Sequence, residues 1–151
     1  MRKSLSEIFN LQSIYFDIDG NSKEGFLAGL VDSFPVFHPE YNRTELFTAV
    51  MEREAKMNTG IGNGVAIPRA YCKGIGNMSG AIGISKQGID YGALDNKPVQ
   101  IVFLLGMDQK TDANNLYTLN LIFKLAQSEK LALMINAKNA EEIHEILSGI
   151  H

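Results

Sequence analysis

The residues of this chain whose types and spacing suit chemistry are concentrated in one stretch. Residues 52–69 read Glu-Arg-Glu-Ala-Lys-Met-Asn-Thr-Gly-Ile-Gly-Asn-Gly-Val-Ala-Ile-Pro-Arg. Gly60, Gly62 and Gly64 can take backbone angles that a side chain forbids. A loop with glycine at every second position can aim successive amide N–H groups at an anion or at a partner backbone. Thr59 and Asn63 add a hydroxyl and an amide, and Ile61 sits between the glycines. Val65-Ala66-Ile67 predicts a short buried strand. Pro68 ends its regular pairing and presents Arg69 at the loop edge. Arg53 and Arg69 supply guanidinium forks, which suit carboxylates and phosphates. Plainer readings stand beside these. The glycines would also serve a tight path between helix and strand, and Arg53 would also serve as a solvated helix-end charge. The stretch is not a Walker loop, since no Gly-Lys-Ser/Thr follows. Nor is it a dinucleotide fingerprint, since the spacing is Gly-x-Gly-x-Gly and a helix precedes it.

The other reactive side chains are sparse. His38 lies between Phe37 and Pro39 in a distant loop, His144 falls on the polar side of the last predicted helix, and His151 is the last residue. All three read as surface histidines without a role. The single cysteine, Cys72, cannot form an internal disulfide, and it reads as an inert small residue rather than a reactive thiol.

The elements that position these residues follow from periodicity and caps. Ser4 and Glu7 have capping-box spacing for a short helix to about Phe9. Ser13 to Asp19 places Ile14, Phe16 and Ile18 on one strand face, and Asp19-Gly20-Asn21 is a turn. Ser22 caps a helix whose stripe is Phe26, Leu27, Leu30, Val31 and Phe34, stopped by Pro35. Asn42 caps the helix that buries Leu46, Phe47, Val50 and Met51 and carries Arg53 and Glu54 at its end. The segment from Arg69 to Asn77 reads as loop. Met78 to Ser85 predicts a glycine-rich strand, with Ala81 and Gly83 on one face and Ile82 and Ile84 on the other. Gly88 to Pro98 is turn-rich. Val99 to Leu105 is the apolar run of a central strand covered on both faces, followed by a loop over residues 106–112. A helix with Leu116, Leu119, Ile122, Phe123 and Ala126 inward comes next. A short helix spans Glu129 to Ile135. Asn139 caps the last helix, with Ile143, Ile146, Leu147 and Ile150 inward. Alternating helices and strands predict an α/β fold, a mixed sheet flanked by helices on both faces.

Size and composition narrow the class. The 151 residues, 45% hydrophobic, predict one domain over 1–151 with a core that needs no staples. A net charge of −3 points away from nucleic acid. No apolar run of membrane-spanning length occurs, and Met1-Arg2-Lys3-Ser4 leads into Leu5-Ser6-Glu7 rather than a signal core. A cytoplasmic protein is expected, with no cofactor and no metal.

The stretch from Glu52 to Pro68 resembles the active-site segment of the IIA proteins of the bacterial phosphoenolpyruvate-dependent sugar phosphotransferase system. The resemblance is to the fructose–mannitol class, especially its nitrogen-regulatory branch. It rests on Glu52-Arg53-Glu54, Thr59-Gly-Ile-Gly-Asn-Gly64, the triplet Val65 to Ile67, and Pro68, with Leu94 to Val99 as a further recurrent segment. It covers nearly the whole chain, is weakest before Ser22, and implies a roughly five-stranded mixed sheet. In the family a histidine takes a phosphoryl group from a small phosphocarrier protein. It then passes the group on or holds it as a signal. That position is Arg69 here, and a second family histidine, at the start of the helix after the central strand, corresponds to Asn115. Neutral imidazole offers a nitrogen lone pair; guanidinium has donors only. An amide can donate to a phosphate oxygen but does not titrate.

The expected site is therefore a binding surface of Arg53, Thr59, Gly60, Ile61, Gly62, Asn63, Gly64, Arg69 and Asn115, without a catalytic residue. The leading expectation is a binding and regulatory module of the IIA fold. Its partners would be a phosphocarrier protein, a transporter, a kinase or a regulator. Two alternatives stand: a working phosphotransfer component that uses another nucleophile, and a sensor of small anions.

Overall fold

A computed structural model of the chain describes residues 3–16, 22–34, 36, 38–108 and 113–150. Its elements are α1 (Leu5–Ile8), a 3-10 turn (Leu11–Ser13), β1 (Ile14–Phe16), α2 (Lys23–Asp32), α3 (Arg43–Lys56), β2 (Gly60–Gly62), β3 (Val65–Ala66), β4 (Arg69–Tyr71), β5 (Ser79–Ile89), β6 (Val99–Met107), α4 (Ala113–Ala126), α5 (Lys130–Ile135) and α6 (Ala140–Ser148). The cap signals hold. Ser4 and Glu7 close a capping box, Ser22 Oγ accepts from Gly25 N, Asn42 Oδ1 from Glu45 N, and Asn139 Oδ1 from Glu142 N. Each satisfies amides that the first turn leaves without a helical partner.

The sheet runs in the order β1-β5-β6-β3-β2, with β4 also paired to β6. β5 and β6 are antiparallel, whereas β1 joins β5, and β3 and β4 join β6, in parallel. Among the described residues six strands stand where roughly five were expected. The difference has a physical cause at Pro68. β3 pairs Val65 with Ile101 and β4 pairs Arg69 with Leu105, along the same flank of β6 and in the same direction. Pro68 lacks an N–H but its carbonyl still accepts from Leu105 N at 2.9 Å. One strand is thus interrupted rather than ended, and the segment read as loop after Arg69 resumes pairing through Tyr71.

β6 is the spine. Ile101, Phe103 and Leu105 join the core beneath α1, α4, α5 and α6, while Val102 and Leu104 join the core beneath α2 and α3. All five are fully buried, and each such side chain contributes about 1.5–3 kcal/mol of apolar transfer. β5 alternates in the same sense: Ile82 and Ile84 face the first core and Ala81 the second. Gly83 also faces the second, beneath Phe26.

Four further expectations change. The glycine stretch is not an open loop but the antiparallel hairpin β2–β3. Asn63 (φ 58°) and Gly64 (φ 79°) both occupy the left-handed region there, as a tight hairpin turn requires. On α4, Leu116 and Phe123 are 51% and 37% exposed, while Asn115, Thr118, Leu121 and Leu125 are buried beside Ile122 and Ala126. The helix is rotated from its most apolar stripe because two polar residues at its N-terminal end, Asn115 and Thr118, are turned inward. β5 runs on to Ile89, past the predicted end at Ser85. His144, expected on a polar face, is half-buried and its Nε2 lies 3.0 Å from the carbonyl of Ser6, linking α6 to α1. Ile18, the turn at 19–21, Pro35, Phe37, residues 109–112 of the loop after β6, and His151 lie outside the described residues.

Candidate functional site

The site is built by α3 and the end of the interrupted strand. Ala49, Glu52, Arg53 and Lys56 recur at helical spacing and so share one face of α3. That face, with Arg69, Ala70 and Tyr71 of β4 and Met107 at the end of β6, lines a depression of about 490 Å3. α3 ends on its own side chain: Arg53 Nη1 donates to the carbonyl of Met57 at 2.8 Å. Arg53 thus closes the helix and lines the depression.

Arg69 lies opposite Leu105 in the register, and its Nη1 approaches the carbonyl of Ile67 at 3.4 Å. Burial holds its proton affinity below the usual guanidinium value, and the neighbouring charge of Arg53 pushes it the same way. The two arginines thus feel each other. Asn115, near the start of α4, is buried, and its Nδ2 lies 3.3 Å from Met107 Sδ. Met107 lines the depression, so Asn115 reaches it through that thioether.

The glycine hairpin is placed differently. Thr59 and Gly60 sit beside the C-terminal end of β3: Ile67 N donates to the Thr59 carbonyl and Gly60 pairs with Ala66. Gly62, Asn63 and Gly64 form the turn beside Gln100, whose N–H donates to the Gly64 carbonyl. Arg69 stands opposite Leu105, five residues further along β6, which is about 17 Å of strand. The turn and Arg69 therefore do not share a depression, contrary to the expectation from sequence. Nor do the hairpin amides converge on an open anion site. Thr59 N donates to Glu54 Oε1, Gly60 N to Asn58 Oδ1, and Asn63 N to Asp95 Oδ2. Ile61 is half-buried against the core beneath α4.

Sequence reasoning missed the group that fixes this geometry. Glu54 is 6% exposed. Its Oε1 lies 2.8 Å from Lys23 Nζ of α2 and its Oε2 accepts from Thr59 Oγ1. Thr59 Oγ1 is also 3.0 Å from the Tyr91 hydroxyl, and Lys23 Nζ sits 4.4 Å from the centre of the Tyr91 ring. Burial pushes the Tyr91 phenol strongly upward, with the Glu54 charge adding to it. This network ties α2, α3, the hairpin and the Tyr91 segment together. The sequence placed Glu54 in the Glu52-Arg53-Glu54 pattern at the helix end, but the signal for its burial lay in the spacing: Glu54 is four residues after Val50 and eight after Leu46, on the apolar side of α3. Asp95 was legible only as part of a recurrent segment; it braces the turn through Asn63 N and accepts from Lys97 N, bonds that hold its carboxyl below the usual range. Cys72 is buried, and burial pushes its thiol up, as an inert thiol requires. Among the described residues no cluster of histidine, cysteine and carboxylates has the grouping of a metal site, and no helix is long and apolar enough to cross a membrane.

The family model for the phosphoenolpyruvate-dependent sugar phosphotransferase system, EIIA 2, matches residues 7–149. The chain belongs to this family. It is 27% identical over 95% of its length to the fructose-specific EIIABC component of Bacillus subtilis, of which it spans 23%. The crystal structure of the nitrogen regulatory protein IIA-Ntr from Neisseria meningitidis is similar at a TM-score of 0.78, with 26% identity, 95% of this chain and 98% of that one covered. The same fold, at a TM-score of 0.70 and 14% identity over 91% of this chain and 95% of that one, occurs in enzyme IIA of the mannitol system of Escherichia coli, solved in complex with its phosphorylated enzyme IIB. The EIIA 2 chain is thus a mixed α/β protein of the IIA fold.

Proposed function

We propose that this chain is a IIA-like binding and regulatory module that receives no phosphoryl group at the family position. The observation that supports the reading is Arg69. The resemblance puts it where the family has its phosphorylated histidine, and its guanidinium lines the depression with no lone pair to offer. Asn115, at the position of the second histidine, touches Met107 at the same depression. The module acts in the cytoplasm as a single IIA-like unit and docks a protein partner. The candidates are a phosphocarrier protein, a IIB-type domain such as the one bound in the mannitol complex, a transporter, a kinase or a regulator. The rim supports such docking, since Tyr71 and Met57 are exposed beside Arg53 and Arg69, and aromatic, Met and Arg side chains are enriched at the centres of interfaces.

Incubation with the phosphocarrier relay and labelled phosphoenolpyruvate tests the reading. The expected result is no stable label on the protein. Stable labelling of any histidine, His38 and His144 included, would sink it in favour of phosphotransfer through another nucleophile. The sensor of small anions is favoured by a separate observation, the two guanidinium groups that share the depression.

A further inference from the structure

We infer that the depression between α3 and β4 binds a phosphate monoester, with the phosphate held by Arg53 and Arg69 and the carbon part lying against Tyr71 and Met107. The inference rests on the reading that position 69 is not phosphorylated, and it names the ligand chemistry of that site.

The charge pattern carries it first. Arg53, Lys56 and Arg69 line the depression against one acid, Glu52. Among the described residues neither guanidinium forms an ion pair with a carboxylate. Arg53 directs one N–H to Met57 and Arg69 directs one towards Ile67, whereas each guanidinium has five. The nearby Glu54 is committed to Lys23 and Thr59. Like charges held together in a half-buried place cost free energy, and an anion reverses the sign of that cost. The site stays cationic throughout the physiological range, because arginine does not lose its proton there. Two forks match a head with three oxygens and nearly two charges better than they match one carboxylate.

Size and lining carry the rest. At about 490 Å3 the depression falls in the size range of small-molecule sites. Inorganic phosphate would leave most of it wet. The remaining wall is Ala49, Ala70, Tyr71 and Met107, an apolar and aromatic surface suited to a short carbon chain or ring. A free ester and a phosphorylated side chain of a protein share this chemistry.

Calorimetric titration of the whole chain with phenyl phosphate, a short phosphoserine peptide and inorganic phosphate tests the inference. Saturable binding of phenyl phosphate, about fivefold or more tighter than inorganic phosphate, is expected. A peptide that binds tighter still supports the site and assigns its ligand to a protein chain. Arg69→Gln should weaken binding about tenfold or more, and Lys130→Gln, on the far helix α5, should leave it unchanged. Thermal melts establish that the variants fold. If Arg69→Gln does not, Arg53→Lys keeps a charge at the helix end, loses the fork, and should weaken binding similarly. No saturable binding of either organic probe into the millimolar range overturns the inference, as does equal affinity for inorganic phosphate or for a folded Arg69→Gln protein. The two readings fail separately: label on a histidine would refute the unphosphorylated module, whereas absent ester binding would refute only the clamp.

Discussion

Lys23 of α2 and Glu54 of α3 meet at 2.8 Å, with the carboxylate side chain 2% exposed and the ammonium side chain 21% exposed. The pair joins two helices on one face of the sheet, and Thr59 adds its N–H and hydroxyl to the same carboxylate. Removing one partner of a buried pair leaves the other charge uncompensated, which costs about 3–5 kcal/mol in closed interiors. Lys23 is partly solvated, so Lys23→Met should cost about 2–3 kcal/mol. Glu54→Met should cost more, since it also orphans the buried N–H of Thr59, a further loss of about 1–3 kcal/mol. The double mutant should be more stable than the sum of the singles predicts. Urea unfolding of the four proteins measures this, and strict additivity would show that the pair is uncoupled.

Gly83 is fixed by close approach. A Cβ there would stand 2.8 Å from two atoms of the Phe26 ring and 3.0 Å from Leu30 Cδ2. Overpacking of this kind costs about 1–3 kcal/mol, offset by about 0.4–1 kcal/mol from the stiffer unfolded chain. Gly83→Ala should therefore lower stability by about 1–2 kcal/mol. Gly83→Ala combined with Phe26→Leu should recover part of that loss. A denaturation midpoint for Gly83→Ala at or above the parent's would refute the packing of α2 on β5.

Three tyrosines predict alkaline sensitivity. Burial raises the phenols of Tyr15, Tyr41 and Tyr91 above the ordinary value of 10.0. For Tyr41 the rise is to about 12, from burial first and then the neighbouring Cys72. A raised folded value means that the folded protein holds the proton more tightly than the unfolded chain. The stabilising contribution is therefore complete below pH 10.0 and lost as pH rises towards about 12. The urea midpoint should fall across that window, less steeply in Tyr41→Phe. A tyrosinate absorbance that the folded parent shows at the ordinary value and folded Tyr41→Phe lacks would contradict it.

Restoring the family's chemistry should need two changes. Arg69→His returns a nitrogen with a usable lone pair, yet Asn115 beside Met107 cannot change charge as a phosphoryl group arrives and leaves. Loss of one preorganised donor commonly costs about two to three orders of magnitude in rate. Label transfer from the phosphocarrier protein should therefore be faster for Arg69→His with Asn115→His than for Arg69→His alone, and absent for Asn115→His alone. Equal rates for the single and double variants would make position 115 irrelevant.

What was local was legible. Ser4, Ser22, Asn42 and Asn139 announced four helix starts because a capping side chain acts within three residues of itself. The run Val99 to Leu105 announced the spine because burial on both faces leaves no polar alternation. The stretch from Glu52 to Pro68 announced the family. The sequence also determined, by chemistry alone, that Arg69 has no lone pair for a phosphoryl group.

What depended on distant partners was decided only by the tertiary structure. The glycine-rich stretch reads as an anion loop until Asp95 and Glu54 take its amides. Leu116 and Phe123 read as core until the inward turn of Asn115 and Thr118 puts them outside. The segment after Pro68 reads as loop until β6 supplies the partners that three residues cannot find among themselves. Arg53 and Arg69 lie 16 residues apart in the sequence, and nothing local makes them neighbours. Packing of α3 beside β4 does so, because the buried Glu54 network and the shared flank of β6 fix both elements at once.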